Sequence, residues 1–251
     1  MNLSVKDKVT LITGGAKGFG LEMAEAFYNE GSKIVLLDIN KEGLDAGAKK
    51  MDPSREKVLT CQADITNENQ VKWAIQEILA RFRRIDILIN NAGIMKANSI
   101  EDMSVADFEI VLKVNLTGTF IMCKAVVPVM KKHGGGKIVN IASIAGRTAR
   151  PSVGLNYATS KAGLIGLTRT LAREVGPSGI YVNAIAPGGA IITDMTRELP
   201  RELMEKFNFG KAINRNGMPK DIANVALFLA SDMSDWITGA VLDVNGGILM
   251  R

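Results

Sequence analysis

The stretch Val9-Thr10-Leu11-Ile12-Thr13-Gly14-Gly15-Ala16-Lys17-Gly18-Phe19-Gly20 decides the fold. Its first five residues are apolar or β-branched without alternation, the pattern of a strand buried on both faces in a parallel sheet. A glycine-rich turn follows, and Leu21–Asn29 then reads as a helix. The same unit recurs along the chain. Strands are expected at Lys33–Leu37 (ending at Asp38), Val58–Gln62 (leading to Asp64), Ile85–Ile89, Lys137–Ile141, Ile180–Ile185 and Ala240–Val244. Helices are expected at Lys41–Lys50, Glu68–Phe82, Val105–Lys113 and Leu116–Lys132, with a bend at Pro128. Further helices are expected in the segment ending at Val175, over a Met-rich stretch Thr193–Phe207, and at Lys220–Ala230. Seven strands alternating with helices argue for one α/β domain, 1–251, built on a doubly wound parallel sheet with helices on both faces. No linker, repeat or composition shift suggests a second domain.

Composition narrows the function classes. The chain has 251 residues, 47% of them hydrophobic, enough for a substantial core. The apolar runs are short and interrupted, so no membrane span is expected. The N-terminal Met1–Asp7 has neither a signal core nor a transit pattern, which makes cytoplasm the expected location. Cys61 and Cys123 lie far apart in apolar surroundings and read as buried free thiols. The single histidine, His133, has no neighbouring ligand set, so neither a metal site nor a catalytic histidine is expected. The net charge of +5 comes from scattered basic residues with few aromatics, the pattern of a solvated surface rather than a nucleic-acid site.

Three constellations carry chemistry. The turn after the first strand has the spacing Gly14-x-x-x-Gly18-x-Gly20 and opens a helix. Glycines there let backbone amides approach a pyrophosphate, and the helix N-terminus adds partial positive charge. Asp38 ends the next strand, where a carboxylate can accept hydrogen bonds from an adenosine ribose and repel a 2′-phosphate. Lys17, inside the loop, points the other way, because a cation could meet that phosphate. Asp38 weighs more, so NAD is expected ahead of NADP. The third is Tyr157-x-x-x-Lys161 on a helical stretch. Positions i and i+4 share a helix face. An ammonium beside a phenol would lower the phenol's pKa toward a range useful for proton exchange with an alcohol or ketone. Taken alone, the pair also fits an ordinary solvated face.

Thr13-Gly14-x-x-x-Gly18-x-Gly20, Asp64, Asn90-Asn91-Ala92-Gly93, Asn115, Ser143, Tyr157-x-x-x-Lys161 and Pro187-Gly188 occur in an order and spacing that resembles the short-chain dehydrogenase/reductase family. The resemblance runs from Lys6 to Gly247 and looks most like the 3-oxoacyl-carrier-protein-reductase and polyol or sugar dehydrogenase branch. It implies a single-domain Rossmann fold and an NAD(H)-dependent oxidoreductase that interconverts a secondary alcohol and a ketone. It further implies that Tyr157 is the general acid/base, that Ser143 orients the substrate oxygen and that Lys161 tunes the tyrosine and holds the nicotinamide ribose. Asn115 would hold a water of the proton relay where a helix is locally opened. Gly14, Lys17, Gly18, Phe19 and Gly20 would cradle the dinucleotide. Asp38, Ile39, Asp64, Ile65, Asn91, Ala92 and Gly93 would surround the adenosine, and Pro187, Gly188, Ile191 and Thr193 the nicotinamide. The resemblance also implies a homo-oligomer, tetramer or dimer. Singly, Asn91-Ala92-Gly93 also fits a strand-end turn and Ser143 a helix cap.

Two departures bear on the substrate. Ser143 and Tyr157 are 14 positions apart, and Gly188–Thr193 is extended, each by one residue against the reductase branch. An NADPH-dependent 3-oxoacyl-thioester reductase is the alternative enzyme, with Arg147 and Arg150 either attracting an anionic substrate or simply solvated. A non-catalytic dinucleotide-binding sensor or scaffold is the alternative of another class.

Overall fold

The structure, a computed structural model, describes residues 4–189 and 201–250. Strands β1 (Val9–Thr13), β2 (Lys33–Asp38), β3 (Val58–Gln62), β4 (Ile87–Asn90), β5 (Gly136–Ile141), β6 (Ile180–Pro187) and β7 (Val241–Val244) form one sheet. Its order is β3-β2-β1-β4-β5-β6-β7, and every pair is parallel. The chain winds outward one way from β1 and the other way from β4. The crevice beyond their C-terminal ends is therefore the topological switch point, where doubly wound sheets bind ligands.

Helices α1 (Gly18–Asn29), α2 (Lys41–Met51) and α8 (Pro219–Ala230) cover one face; α3 (Glu68–Phe82), α5 (Thr119–Lys132) and α6 (Leu155–Val175) cover the other. Alternate residues of each strand feed the two cores. Ile12 of β1 packs with Phe27, Leu36 and Ile89, whereas Val9 and Leu11 pack with Val35, Ile78 and Val126. Helix α4 (Val105–Leu112) packs against α6, and α7 (Arg201–Asn208) lies between β6 and α8 in the chain. Local chemistry sets several boundaries. The Asn40 side chain accepts from Gly43 N at 3.0 Å, and Asn67 accepts from Asn69 N and Gln70 N, each satisfying orphan amides of a first turn.

Differences from the sequence expectations have physical causes. Strand β4 begins at Ile87 rather than Ile85, since Asp86 is spent on a cap: its carboxylate accepts from Val9 N at 2.9 Å and pairs with Arg84. Pro128 lies inside α5 without ending it. The interruption comes earlier, where Lys113–Gly118 forms a π-helical turn joining α4 to α5 in one continuous run. That run, Val105–Lys132, is long and apolar enough to cross a membrane by length and composition alone. In this fold it is a core helix, with Met122, Cys123, Val126 and Met130 buried against the sheet. The described part of the Met-rich stretch contributes α7; Thr193 and Ile191 lie outside the described residues.

Candidate active site

The loops after β1, β2 and β4 meet at the switch point. Gly14 adopts φ +65°, and a Cβ on Gly20 would sit 2.0 Å from the Gly14 carbonyl oxygen, so neither position tolerates a side chain. Thr13 Oγ1 accepts from Asn91 N at 3.0 Å and Ala92 N at 3.1 Å, and Asn91 Nδ2 donates to the carbonyls of Thr13 and Gly14 at 3.0 Å each. The β4 loop thus holds the glycine turn open from beneath, which is a structural use of Asn91. Asp38 stands at the end of β2, its carboxylate accepting from Ala16 N at 3.2 Å and Asn40 N at 2.9 Å. Beyond it, Ile39, Gln62, Asp64 and Gln70 line a polar depression, and Ile39 is 69% exposed there. Lys17 is exposed, while Phe19 packs partly into the core. Ile65, next to Asp64, buries its side chain in the core against Gly118.

The second half of the site is built where α6 passes the π-helical turn. Asn115 is fully buried in that turn. Its Oδ1 accepts from Ile94 N at 2.8 Å, and its Nδ2 donates to Ile94 O at 2.9 Å and to Ser160 Oγ at 3.0 Å. Ser160 Oγ in turn donates to the Tyr157 carbonyl at 2.7 Å. The amide therefore ties the β4 loop to the helix turn that carries Tyr157 and Lys161. A Cβ on Gly93 would lie 3.1 Å from Asn115 Oδ1 and 3.6 Å from Lys161 Nζ, so Gly93 adjoins both. Neither Ser160 nor Asn156, whose Nδ2 donates to the Asp107 carbonyl at 3.0 Å, was singled out by the sequence reading. Their only sequence signal is a polar residue on the buried face of a helix.

Ser143 caps a short 3₁₀ turn, Ile144–Gly146, that follows β5; its hydroxyl accepts from Ala145 N at 3.1 Å and adjoins the Tyr157 phenol. Burial pushes the phenol above its ordinary pKa, and the Ser143 hydroxyl opposes that rise. This is the reverse of the direction expected from Lys161. The ammonium lies 5.6 Å from the ring centroid and donates instead to the Ile141 carbonyl at 2.7 Å. Lys161 is itself 4% exposed, and burial pulls it down to about 8. Gly188, at the end of β6, completes the wall; a Cβ there would meet Ile144 Cδ1 at 2.5 Å.

Two arginines expected to face an anionic substrate or solvent are both engaged. Arg147 Nη1 pairs with Asp243 at 2.6 Å, and Arg150 Nη2 donates to the Phe207 carbonyl at 3.0 Å. The cysteines are free and buried, and burial pushes both thiols up to about 12.

A family model described as enoyl-(acyl carrier protein) reductase matches residues 14–249. The 3-oxoacyl-[acyl-carrier-protein] reductase FabG of Thermotoga maritima is 39% identical over 248 residues, covering 99% of this chain and 100% of its own length. The (2S)-[(R)-hydroxy(phenyl)methyl]succinyl-CoA dehydrogenase subunit BbsD of Thauera aromatica is 40% identical, covering 98% of each chain. Among solved structures, a 7α-hydroxysteroid dehydrogenase complexed with NADH and 7-oxo glycochenodeoxycholic acid superposes with a TM-score of 0.92 at 35% identity, covering 98% of this chain and 96% of that one. The chain belongs to the short-chain dehydrogenase/reductase family: it is an NAD(P)-binding oxidoreductase acting on the CH–OH group of a small-molecule alcohol or on the matching ketone.

Proposed function

We propose that the protein is an NAD(H)-dependent oxidoreductase in which Tyr157 is the general acid/base, Ser143 orients the substrate oxygen, Lys161 supplies positive charge, and Asn115 holds the proton relay together. The observation that supports this reading is the convergence on the Tyr157 ring of the Ser143 hydroxyl, which adjoins the phenol, and of Lys161 Nζ, 5.6 Å from the ring centroid. The dinucleotide would be held by Gly14, Lys17, Gly18, Phe19 and Gly20, by Asp38, Ile39 and Asp64 on the adenosine side, and by Gly93, Pro187 and Gly188 toward the nicotinamide. When bound, the nicotinamide supplies or accepts the hydride. Tyr157 Oη gives its proton to a ketone oxygen in reduction and takes one from an alcohol in oxidation. The Ser143 hydroxyl holds that oxygen in line and stabilises the charge that develops on it. Burial favours the protonated phenol.

The preference for NAD rests on Asp38. Both carboxylate oxygens are held by backbone amides, so the charge cannot swing away from a 2′-phosphate without breaking two hydrogen bonds. The test of the chemistry is Tyr157→Phe, with NADH binding retained and turnover reduced by roughly 10²–10⁴; a fully active variant refutes the assignment. A second reading, an NADPH-dependent 3-oxoacyl-thioester reductase, is favoured by the relative in Thermotoga maritima and by the exposed Lys17 in the glycine turn. Higher kcat/KM with NADPH and a 3-oxoacyl thioester than with NADH and simple ketones would select it. The engaged Arg147 and Arg150 weigh against a carrier docked at that loop. A non-catalytic sensor has no use for a tyrosine, serine and lysine set side by side. We infer further a homo-oligomer, tetramer or dimer, in the cytoplasm. Val105, Ile110 and Phe120 are exposed along α4 and α5, and light scattering of the purified protein tests the assembly.

A further inference from the structure

We propose that the Arg147–Asp243 ion pair positions Ser143 against Tyr157, making Arg147 and Asp243 positioning residues for the reaction. The proposal rests on the reading of Ser143 and Tyr157 given above and adds what holds the serine in place.

The turn that carries Ser143 has little of its own to fix it. It is a single 3₁₀ turn, Ile144–Gly146, closed by Gly146 N donating to Ser143 O at 3.0 Å and Arg147 N to Ile144 O at 2.9 Å. Contacts from other elements place it, three of them among the described residues as follows. On one side Gly146 lies directly on α6, where a Cβ would be 2.6 Å from the Lys161 carbonyl carbon. On a second side Ile144 is buried against Gly188 at the end of β6. These two contacts are apolar or steric; Ala142 N, donating to Ile185 O at 2.8 Å, fixes the entry to the turn and leaves its far end to Arg147.

The third contact is directional. Arg147, immediately after the turn, donates from Nη1 to Asp243 Oδ2 at 2.6 Å and to the Val241 carbonyl at 3.2 Å. Both partners are on β7, and Asp243 stands in register with Ala186, next to Pro187. The side chains are only 17% and 18% exposed, so the attraction is weakly screened. Asp243 Oδ1 is buried with no partner among the described residues, so Arg147, bound to Oδ2, compensates the charge of this carboxylate. Breaking a largely buried pair strands a charge, and the stranded group moves toward water. Here that movement would carry the turn, and Ser143 with it, away from the phenol. The pair joins residues 96 positions apart, so it is a tertiary device rather than local turn chemistry.

The readout is the phenol. Because the Ser143 hydroxyl opposes the burial-driven rise of Tyr157, loss of that contact raises the Tyr157 titration further. The protein has three tyrosines, so 3-fluorotyrosine labelling gives few ¹⁹F resonances, and the Tyr157 signal is assigned by its absence in Tyr157→Phe. Fluorine acidifies the phenol, bringing its titration to milder pH. Ser143→Ala is expected to move the Tyr157 titration upward by about half a pH unit or more, with NADH binding retained. Arg147→Met and Asp243→Asn are expected to reproduce that shift. Asp243→Asn keeps the side-chain shape should Arg147→Met fold poorly. A purely structural role would lower thermal stability without moving this resonance. An unmoved titration in either folded variant, alongside a shifted Ser143→Ala, overturns the proposal and leaves the Ser143–Tyr157 reading intact. An unmoved titration in Ser143→Ala refutes the contact itself and the proposal with it.

Discussion

Lys161 offers a sharp test of the site's electrostatics, because its placement should impose a measurable cost on folding. The ammonium is 4% exposed, and burial lowers its pKa from the ordinary 10.5 to about 8. At ~1.36 kcal/mol per pH unit, that displacement corresponds to about 3 kcal/mol against the folded state when lysine is charged in both states. The folded protein binds fewer protons at this site than the unfolded chain between pH 8 and 10.5, so this group's contribution to stability rises with pH across that window. Below pH 8 the penalty is present almost in full; above 10.5 it is gone. Lys161→Met has no such group. Between pH 7 and 9.5 the stability of the natural protein should therefore gain about 2 kcal/mol on the variant. Urea unfolding of both proteins at the two pH values measures this, and the comparison cancels every other titrating group. Turnover should be lost in the variant at both. A stability difference that does not change with pH would refute the view that burial governs this lysine, and would leave the Ile141 carbonyl as its dominant influence.

Other expectations are independent of that one. Asn115→Ala removes three buried hydrogen bonds at 2.8 to 3.0 Å and should cost about 3 kcal/mol in urea unfolding; a loss under about 1 kcal/mol would mean that the amide does not tie the β4 loop to α6. Asp38→Asn keeps one of the two loop hydrogen-bond acceptors, replaces the other with an amide NH2, and removes the charge. It should raise the NADPH-to-NADH ratio of kcat/KM at least about tenfold, and an unchanged ratio would mean that cofactor choice is made elsewhere. With both thiols pushed up to about 12, Cys61 and Cys123 should resist iodoacetamide at pH 8 in the native protein and react only on denaturation. Rapid alkylation of the native protein, seen by mass spectrometry, would contradict their burial.

Much of this protein is written in short stretches of sequence. Strands β1 and β3 and helix α3 fall where pattern alone puts them, because buried parallel strands are continuous apolar runs and Asn67 caps its own helix. The glycine turn and the Tyr157–Lys161 spacing are equally local, since a turn's φ angles and a helix face depend on neighbours a few residues away. Tertiary structure decided what depends on distant segments meeting. Only packing reveals that the Asn115 amide bridges Ile94 and Ser160, that Ile65 belongs to the core, and that Arg147 is held by Asp243 instead of facing solvent or a ligand. The direction of the Tyr157 pKa is the clearest case. Sequence spacing puts a cation near the phenol and suggests a lowered value. Desolvation, however, is set by everything that surrounds the ring, and in the folded protein it outweighs a neighbour whose ammonium is turned toward Ile141.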